Sequence, residues 1–288
     1  MSWFKAGNVE IGRIVESNGP FMSIYDFFPD ATAEALAPHR EWLEPGALAN
    51  DMLIMPIQSY VVRTPRMMVL VDSCVGNHKS VKWFPAWHQK TDDDYLRGFT
   101  KLGIHPDEID VVLCTHLHVD HSGWNTRLVD GKWVPTFKNA RYMLSRTECE
   151  HAERLWREYK DPTYAENVQP ILEAGLGVLV ADDHEVDESV WLEPTPGHTP
   201  GHCAVHVASQ GQDVVITGDL IHSPIQCRFP NWNFKFDADK AQAGRTRNDF
   251  LTRYADCDTR VLTAHFPLPS GGHVRSVDDA FHFHYIDD

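Results

Sequence analysis

Three histidines and an aspartate within six positions constrain this chain more than any other feature. They are His116, His118, Asp120 and His121, in the stretch CTHLHVDHSG. A helix would spread them around its axis, whereas a strand sends alternate residues to one face. Period two therefore lets His116, His118 and Asp120 leave one face of a strand end, with His121 just past it. Such a cluster is costly to bury for packing alone. Neutral imidazoles and a carboxylate are good ligands for a divalent metal. The preceding run IDVVLC is short and apolar, as a buried strand requires, and it delivers the cluster at its C-terminal end.

Three later strand-like runs also end in metal-ligating side chains. PTPGHTPGH places His198 in a Gly/Pro-rich loop that can hold an imidazole at a fixed angle. VVITGDL ends in Asp219, and VLTAHFP ends in His265. Upstream of the histidine cluster, LIMPIQSYVVRTPRMMVLVDSC reads as two strands joined by a tight turn at RTPR, with Asp72 near the end of the second. TDDDYLRGFTKLGI, RTECEHAERLWREY and AENVQPILEAG read as helices, although Pro170 interrupts the last. A further helix is expected around residues 238–255. ARYMLS, GVLVADD, HCAVHVAS, DVVITGD and RVLTAH read as strands, with SQGQ as a hairpin turn. In the mixed N-terminal stretch, NGP and FFPD read as turn signals. The order of elements predicts helices covering a sheet or a pair of sheets.

A length of 288 residues suffices for a sizeable core. The net charge of −15 argues against a nucleic-acid footprint and against anionic membrane surfaces. No apolar run is long enough to span a bilayer. The N-terminus has no secretory pattern, and none of the six cysteines forms a CxxC pair. The expectation is a cytoplasmic protein with reduced, mostly buried thiols. His206 is expected to pack along its strand. His282 and His284, in FHFHY, alternate like an edge strand.

HxHxDH, the GHTPGH loop, GD and a late AHF together resemble the metallo-β-lactamase-fold hydrolases over roughly residues 50–275. The resemblance implies an α+β fold, a four-layer αββα sandwich with two metals at one edge of the sheets. Residues 1–50 would be an extension packed on the same single domain, residues 1–288. By this resemblance His116, His118 and His198 bind the first metal; Asp120, His121 and His265 bind the second; Asp219 bridges the two; and His202 supports its loop. Nitrogen and carboxylate ligands suit zinc, and also manganese, cobalt and iron. The chain lacks the HxExD pattern of the family's di-iron redox branch, which favours hydrolysis. The implied reaction uses metal-bound hydroxide, with Asp120 orienting the nucleophile or carrying a proton.

GDLIHSPIQ followed by FPNWNFKFDADKA looks most like the branch of acyl-homoserine lactonases and methyl parathion hydrolase. The lactonases carry a tyrosine where this chain has His222. That departure resembles the methyl parathion hydrolase side, and an imidazole there can donate to a carbonyl oxygen or a leaving group. Trp83, Phe84, Trp87, Phe229 and Trp232 are the candidate substrate wall. The same aromatics would equally serve a homodimer contact or a satellite core. An apolar wall with few basic groups predicts a small neutral, hydrophobic ester or lactone as substrate. The alternatives are a phosphotriester, favoured by a wholly aromatic pocket wide enough for three ester arms, and a non-catalytic binding protein, favoured by a blocked pocket.

Overall fold

The structure, a computed structural model, describes residues 3–286. In chain order it forms β1 (Phe4–Ala6), β2 (Val9–Ser23), β3 (Leu48–Ala49), β4 (Met52–Arg63), β5 (Met68–Val71), α1 (Asp94–Leu102) and β6 (Val111–Leu113). Then come the hairpin β7 (Thr126–Val129) and β8 (Lys132–Pro135), β9 (Arg141–Ser145), α2 (Arg146–Tyr159) and β10 (Gly177–Val180). The last third holds β11 (Val190–Pro194), β12 (Cys203–Ser209), β13 (Gln212–Ile216), α3 (Lys240–Tyr254), β14 (Arg260–Leu262), β15 (Gly271–Val277) and β16 (Ala280–Tyr285). One sheet has the order β1-β2-β4-β5-β6-β9-β10, with β3 on β4, and the other runs β11 to β16 in sequence.

Period-two alternation builds the layers. Along β5, Val69 and Val71 face the second sheet, where they meet Leu192, Val205, Val207, Val214 and Ile216. Met68 and Leu70 face the other way, onto Tyr95, Phe99 and Leu102 of α1 and Cys149 of α2. Along β13, Val214 and Ile216 enter the inter-sheet core, and Val215 packs with Phe250, Leu251 and Tyr254 of α3. The result is the four-layer αββα sandwich.

The helices follow their sequence signals. Gly103 closes α1 at φ +72° with its amide on Phe99 O and Thr100 O. The Ser145 hydroxyl caps α2. The AENVQPILEAG segment splits into a π-helical turn, Tyr164–Val168, and a short helix, Gln169–Glu173, because Pro170 has no N–H to continue the first ladder. The NGP signal does not make a turn. Asn18, Gly19 and Pro20 lie inside the fifteen-residue β2, opposite Pro56, Met55 and Ile54, with register shifts on either side. Pairing with β4 overrides the local preference.

Residues 24–53 form their own apolar cluster on this scaffold. Ile24, Phe27, Phe28, Leu36, Leu43 and Leu53 close around Met55, Ile225, Trp232 and Phe234. His282 and His284 lie on the edge strand β16, as their alternation predicts. The six cysteines are free thiols, and five of them are buried. No helix of the described residues is long and apolar enough to cross a membrane.

Candidate metal centre

The C-terminal ends of β6, β13 and β14 lie at one rim of the sandwich. Val119–Ser122, after β6, carries Asp120 and His121; the turn Gly218–Leu220, after β13, carries Asp219; and His265 follows β14. β13 and β14 are parallel neighbours, so Asp219 and His265 emerge side by side. His198 arrives from the loop between β11 and β12. Gly218 lets this rim close: it sits at φ +51°, and a Cβ there would lie 2.6 Å from Thr115 Oγ1 and 2.8 Å from His202 Nε2.

The seven residues expected as ligands converge in two groups. Ligand atoms of His116, His118, His198 and Asp219 lie within 4.8 Å of one another, and so do those of Asp120, His121 and His265. Asp219 joins the groups. Its Oδ2 is 3.3 Å from His198 Nε2 and 3.7 Å from His116 Nε2, while its Oδ1 is 2.9 Å from both His121 Nε2 and His265 Nε2. His118 Nδ1 stands 3.0 Å from His198 Nε2. Asp120 Oδ2 is 3.7 Å from His121 Nε2 and from His265 Nε2.

The outer nitrogens decide what the inner ones offer. His265 Nδ1 donates to the Pro56 carbonyl at 2.9 Å, His121 Nδ1 to Asp72 Oδ2 at 2.8 Å, and His198 Nδ1 to Asp237 Oδ1 at 2.8 Å. In each neutral ring the inward Nε2 is then a bare lone pair. His121 Nε2 and His265 Nε2 face each other at 3.3 Å. Two lone pairs at that distance repel unless a proton or a cation lies between them. His116 Nε2 and Asp219 Oδ1 are buried with no hydrogen bond. Orphaned inward donors of this nitrogen and carboxylate type fit divalent metal ions.

The electrostatics divide the cluster. Burial pushes the pKa values of His116 and His118 well below the ordinary imidazole value. Burial also opposes charge on His121 and His265, but Asp219 and the neighbouring carboxylates outweigh it and raise both. For Asp219, burial favours the neutral acid; His121, His265, His222 and His116 outweigh it and hold the carboxyl well below its usual range. Burial raises the Asp120 pKa and takes His222 down to about 4 and His202 to about 3. His202 accepts the Asp219 amide at 3.0 Å and donates to Thr195 Oγ1 at 2.8 Å, which pins the Asp219 turn to the His198 loop.

A cavity of about 440 Å³ opens onto the cluster. His118, Asp120, Asp219, His222 and His265 form its polar floor, and among the described residues no Lys or Arg lines it. Of the five aromatics expected there, Trp83 and Trp87 line it. Phe84, Phe229 and Trp232 do not. Phe84 turns onto Phe21 at 4.7 Å and lines a neighbouring groove. Phe229 stacks on Trp232 at 4.2 Å, and Trp232 joins the apolar cluster of residues 24–53 beside Phe28. Their places on the wall are taken by Phe234 and Phe236 from the same loop and by Phe21, Phe27, Met55 and Ile57. Sequence reasoning missed these, because nothing local says which aromatics of a loop turn inward. It also missed Asp237 and Glu148, whose spacing to the histidines is too long to read.

The sequence pattern of the Metallo-beta-lactamase superfamily matches residues 54–277. An N-acyl homoserine lactonase of Bacillus cereus is 28% identical over 184 residues, a match covering 60% of this chain and 65% of that protein. The chain therefore spans just under two thirds of that relative's length. Among solved structures, the hydrolase AbOPH of the beta lactamase superfamily superposes with a TM-score of 0.82 at 21% identity, over 99% of this chain and 98% of its own. AidC, described as a dizinc quorum-quenching lactonase in complex with a product, superposes with a TM-score of 0.81 at 22% identity, over 100% and 97%.

Proposed function

The chain belongs to the Metallo-beta-lactamase superfamily, and on that premise we propose that it is a dinuclear metal-dependent hydrolase that opens a lactone or cleaves a carboxylic ester. One observation carries the reading: each oxygen of Asp219 faces its own set of inward histidine nitrogens. His116, His118 and His198 would hold one ion, Asp120, His121 and His265 the other, with Asp219 between them. Zinc is the expected ion, in keeping with the donor set. Bound there, two such ions would supply Lewis acidity and lower the pKa of water toward neutrality.

The chain's own groups do the rest. Asp120 lines the cavity beside both halves of the cluster and can accept a proton from the attacking water or pass one to the leaving group. His222 also lines the cavity, with its Nε2 3.2 Å from Asp219 Oδ2, and is the imidazole placed to meet a substrate oxygen. The aromatic and aliphatic wall excludes water from the reacting centre and suits an apolar acyl group or ring. The absence of lining cations favours a neutral substrate over a phosphorylated one. The wall also carries Met55, Ile57, Asp161 and Thr163, so it is not the wholly aromatic surface that favours a phosphotriester. The cavity is open to the cluster, which disfavours a pure binding protein.

The test is proton release by zinc-loaded protein with short- and long-chain homoserine lactones, other γ- and δ-lactones, aryl esters, a phosphotriester and a β-lactam. Asp219→Ala serves as the blank. Fast turnover of a lactone or ester, absent from the blank, is expected. Turnover of the triester alone, or none with two ions bound per chain, would overturn the reading.

A further inference from the structure

Glu148 is a buried carboxylate with no part in the chemistry above. Ser145 and Glu148 have the S-x-x-E spacing of a capping box, in which the acid turns back to the amide of the capping residue. Only half of that box forms. Ser145 Oγ accepts the Glu148 amide at 3.0 Å, but the Glu148 side chain turns outward from the helix. Its Oε1 accepts the Gly201 amide at 2.8 Å and its Oε2 accepts the Leu117 amide at 3.1 Å. Leu117 separates His116 from His118, and Gly201 follows His198 by three positions. The contact has no slack: a Cβ on Gly201 would lie 2.7 Å from Ser145 Oγ and 2.9 Å from the Glu148 amide.

We propose that Glu148 is the positioning residue of the first metal group, setting the separation of His116 and His118 from His198 by accepting one amide from each of their loops. The inference rests on the dinuclear reading above. Glu148 touches neither substrate nor ligand atom; it acts through the two loops. A carboxylate is required because both partners are donors. A glutamine would offer one acceptor and one N–H₂, setting donor against donor at one of the two amides. Outer groups that orient metal ligands typically govern affinity by about 10- to 100-fold.

The experiment is a zinc titration against a chromophoric chelator, with the visible spectrum of the Co²⁺ form as a second readout. His116→Ala removes a ligand and identifies which binding step belongs to the first group. In Glu148→Gln that step should weaken about 10- to 100-fold while the other is unchanged, and the Co²⁺ bands of the first group should shift. Glu148→Asp keeps both acceptors and should recover part of the affinity. Ser145→Ala removes the helix cap but neither loop amide; it should lower Tm and leave the first step alone. Wild-type constants in Glu148→Gln would overturn the inference. So would equal weakening in Ser145→Ala, which would make helix stability the cause. If Glu148→Gln does not fold, Glu148→Asp carries the measurement: a first step weaker than wild type supports the inference, and one equal to wild type overturns it. Wild-type protein that takes up no ion overturns the dinuclear reading and this inference together. Two ions in wild type, with Glu148→Gln unchanged, overturn this inference alone.

Discussion

Asp219 has more imidazole nitrogens around it than its two oxygens can satisfy, and much of the site's behaviour follows from that crowding. Asp120 stands at the open side of the same cluster, mostly buried but lining the cavity. Asp120→Asn keeps shape and volume but removes the proton acceptor, so kcat should fall by at least about 100-fold with the circular dichroism spectrum unchanged. A variant carrying its full complement of metal and turning over at the wild-type rate would disprove the role. Gly218→Ala is the structural counterpart. The added methyl meets Thr115 Oγ1 and His202 Nε2 from a left-handed backbone, and urea unfolding should register a loss of about 1–3 kcal/mol. An unchanged midpoint would mean that the turn can relax. At this scale the cluster His116, His118, Asp120 and His121 was readable from spacing because its members are neighbours in the chain, whereas His198, Asp219 and His265 joined it as ligands through the family resemblance. Asp237 was not, since its bond to His198 spans 39 positions.

Between elements, α3 is tied to the second sheet by a buried polar group. His206 of β12 stacks on Trp191 of β11 at 5.0 Å. Its Nε2 lies 2.5 Å from Glu193 Oε2, and Tyr254 of α3 donates to the same oxygen at 2.9 Å. Burial opposes charge on His206, but Asp213 and Glu193 outweigh it and raise the pKa to about 9. A histidine pKa raised on folding stabilises the native state fully below its unfolded value of about 6.5, and the contribution is lost as pH rises through about 9. Unfolding free energy should therefore fall between about pH 6.5 and 9 by on the order of 3 kcal/mol at most. His206→Gln should be less stable at pH 6 and lose less stability across that window than wild type. Equal slopes in wild type and variant would show that His206 does not titrate on unfolding. The helices and most strands were legible because their periodicity, caps and turn residues are local. The long β2 was not: its Asn-Gly-Pro reads as a turn until β4 is present to pair with it.

For the whole molecule, residues 4–49 supply three strands of the larger sheet and, through Phe21 and Phe27, part of the cavity wall. We propose that the described chain is one domain, and calorimetry should give a single transition. Metal removal should lower its Tm by at least about 5 °C, because the ions would bridge loops from both sheets and bind only the folded state. A chelated protein melting at the same temperature would argue against tight binding at the cluster. Phe27→Ala tests the N-terminal wall. Phe27 is buried, stacks on Phe234 at 4.1 Å and lines the cavity. Its truncation should cost about 3–5 kcal/mol and raise KM for the best substrate more than it lowers kcat. A stable variant with an unaltered KM would place substrate elsewhere in the cavity.

What could be read from the residues alone was the cluster of His and Asp at strand ends and a pattern of helices covering one or two sheets, while the αββα sandwich and the sorting of candidate ligands came from the family resemblance. The cluster and the pattern depend on spacing within a strand end and on period-two alternation, which are properties of adjacent residues. Tertiary structure alone decided the cavity wall and the supports behind the ligands. Within one loop, Trp232 leaves the cavity because Phe28 offers it a core, and Phe234 enters because Phe27 stacks against it. Glu148 likewise leaves its helix cap for two amides in distant loops. A side chain's direction is set by the partner that buries or bonds it best, and these partners come from segments far away in the chain.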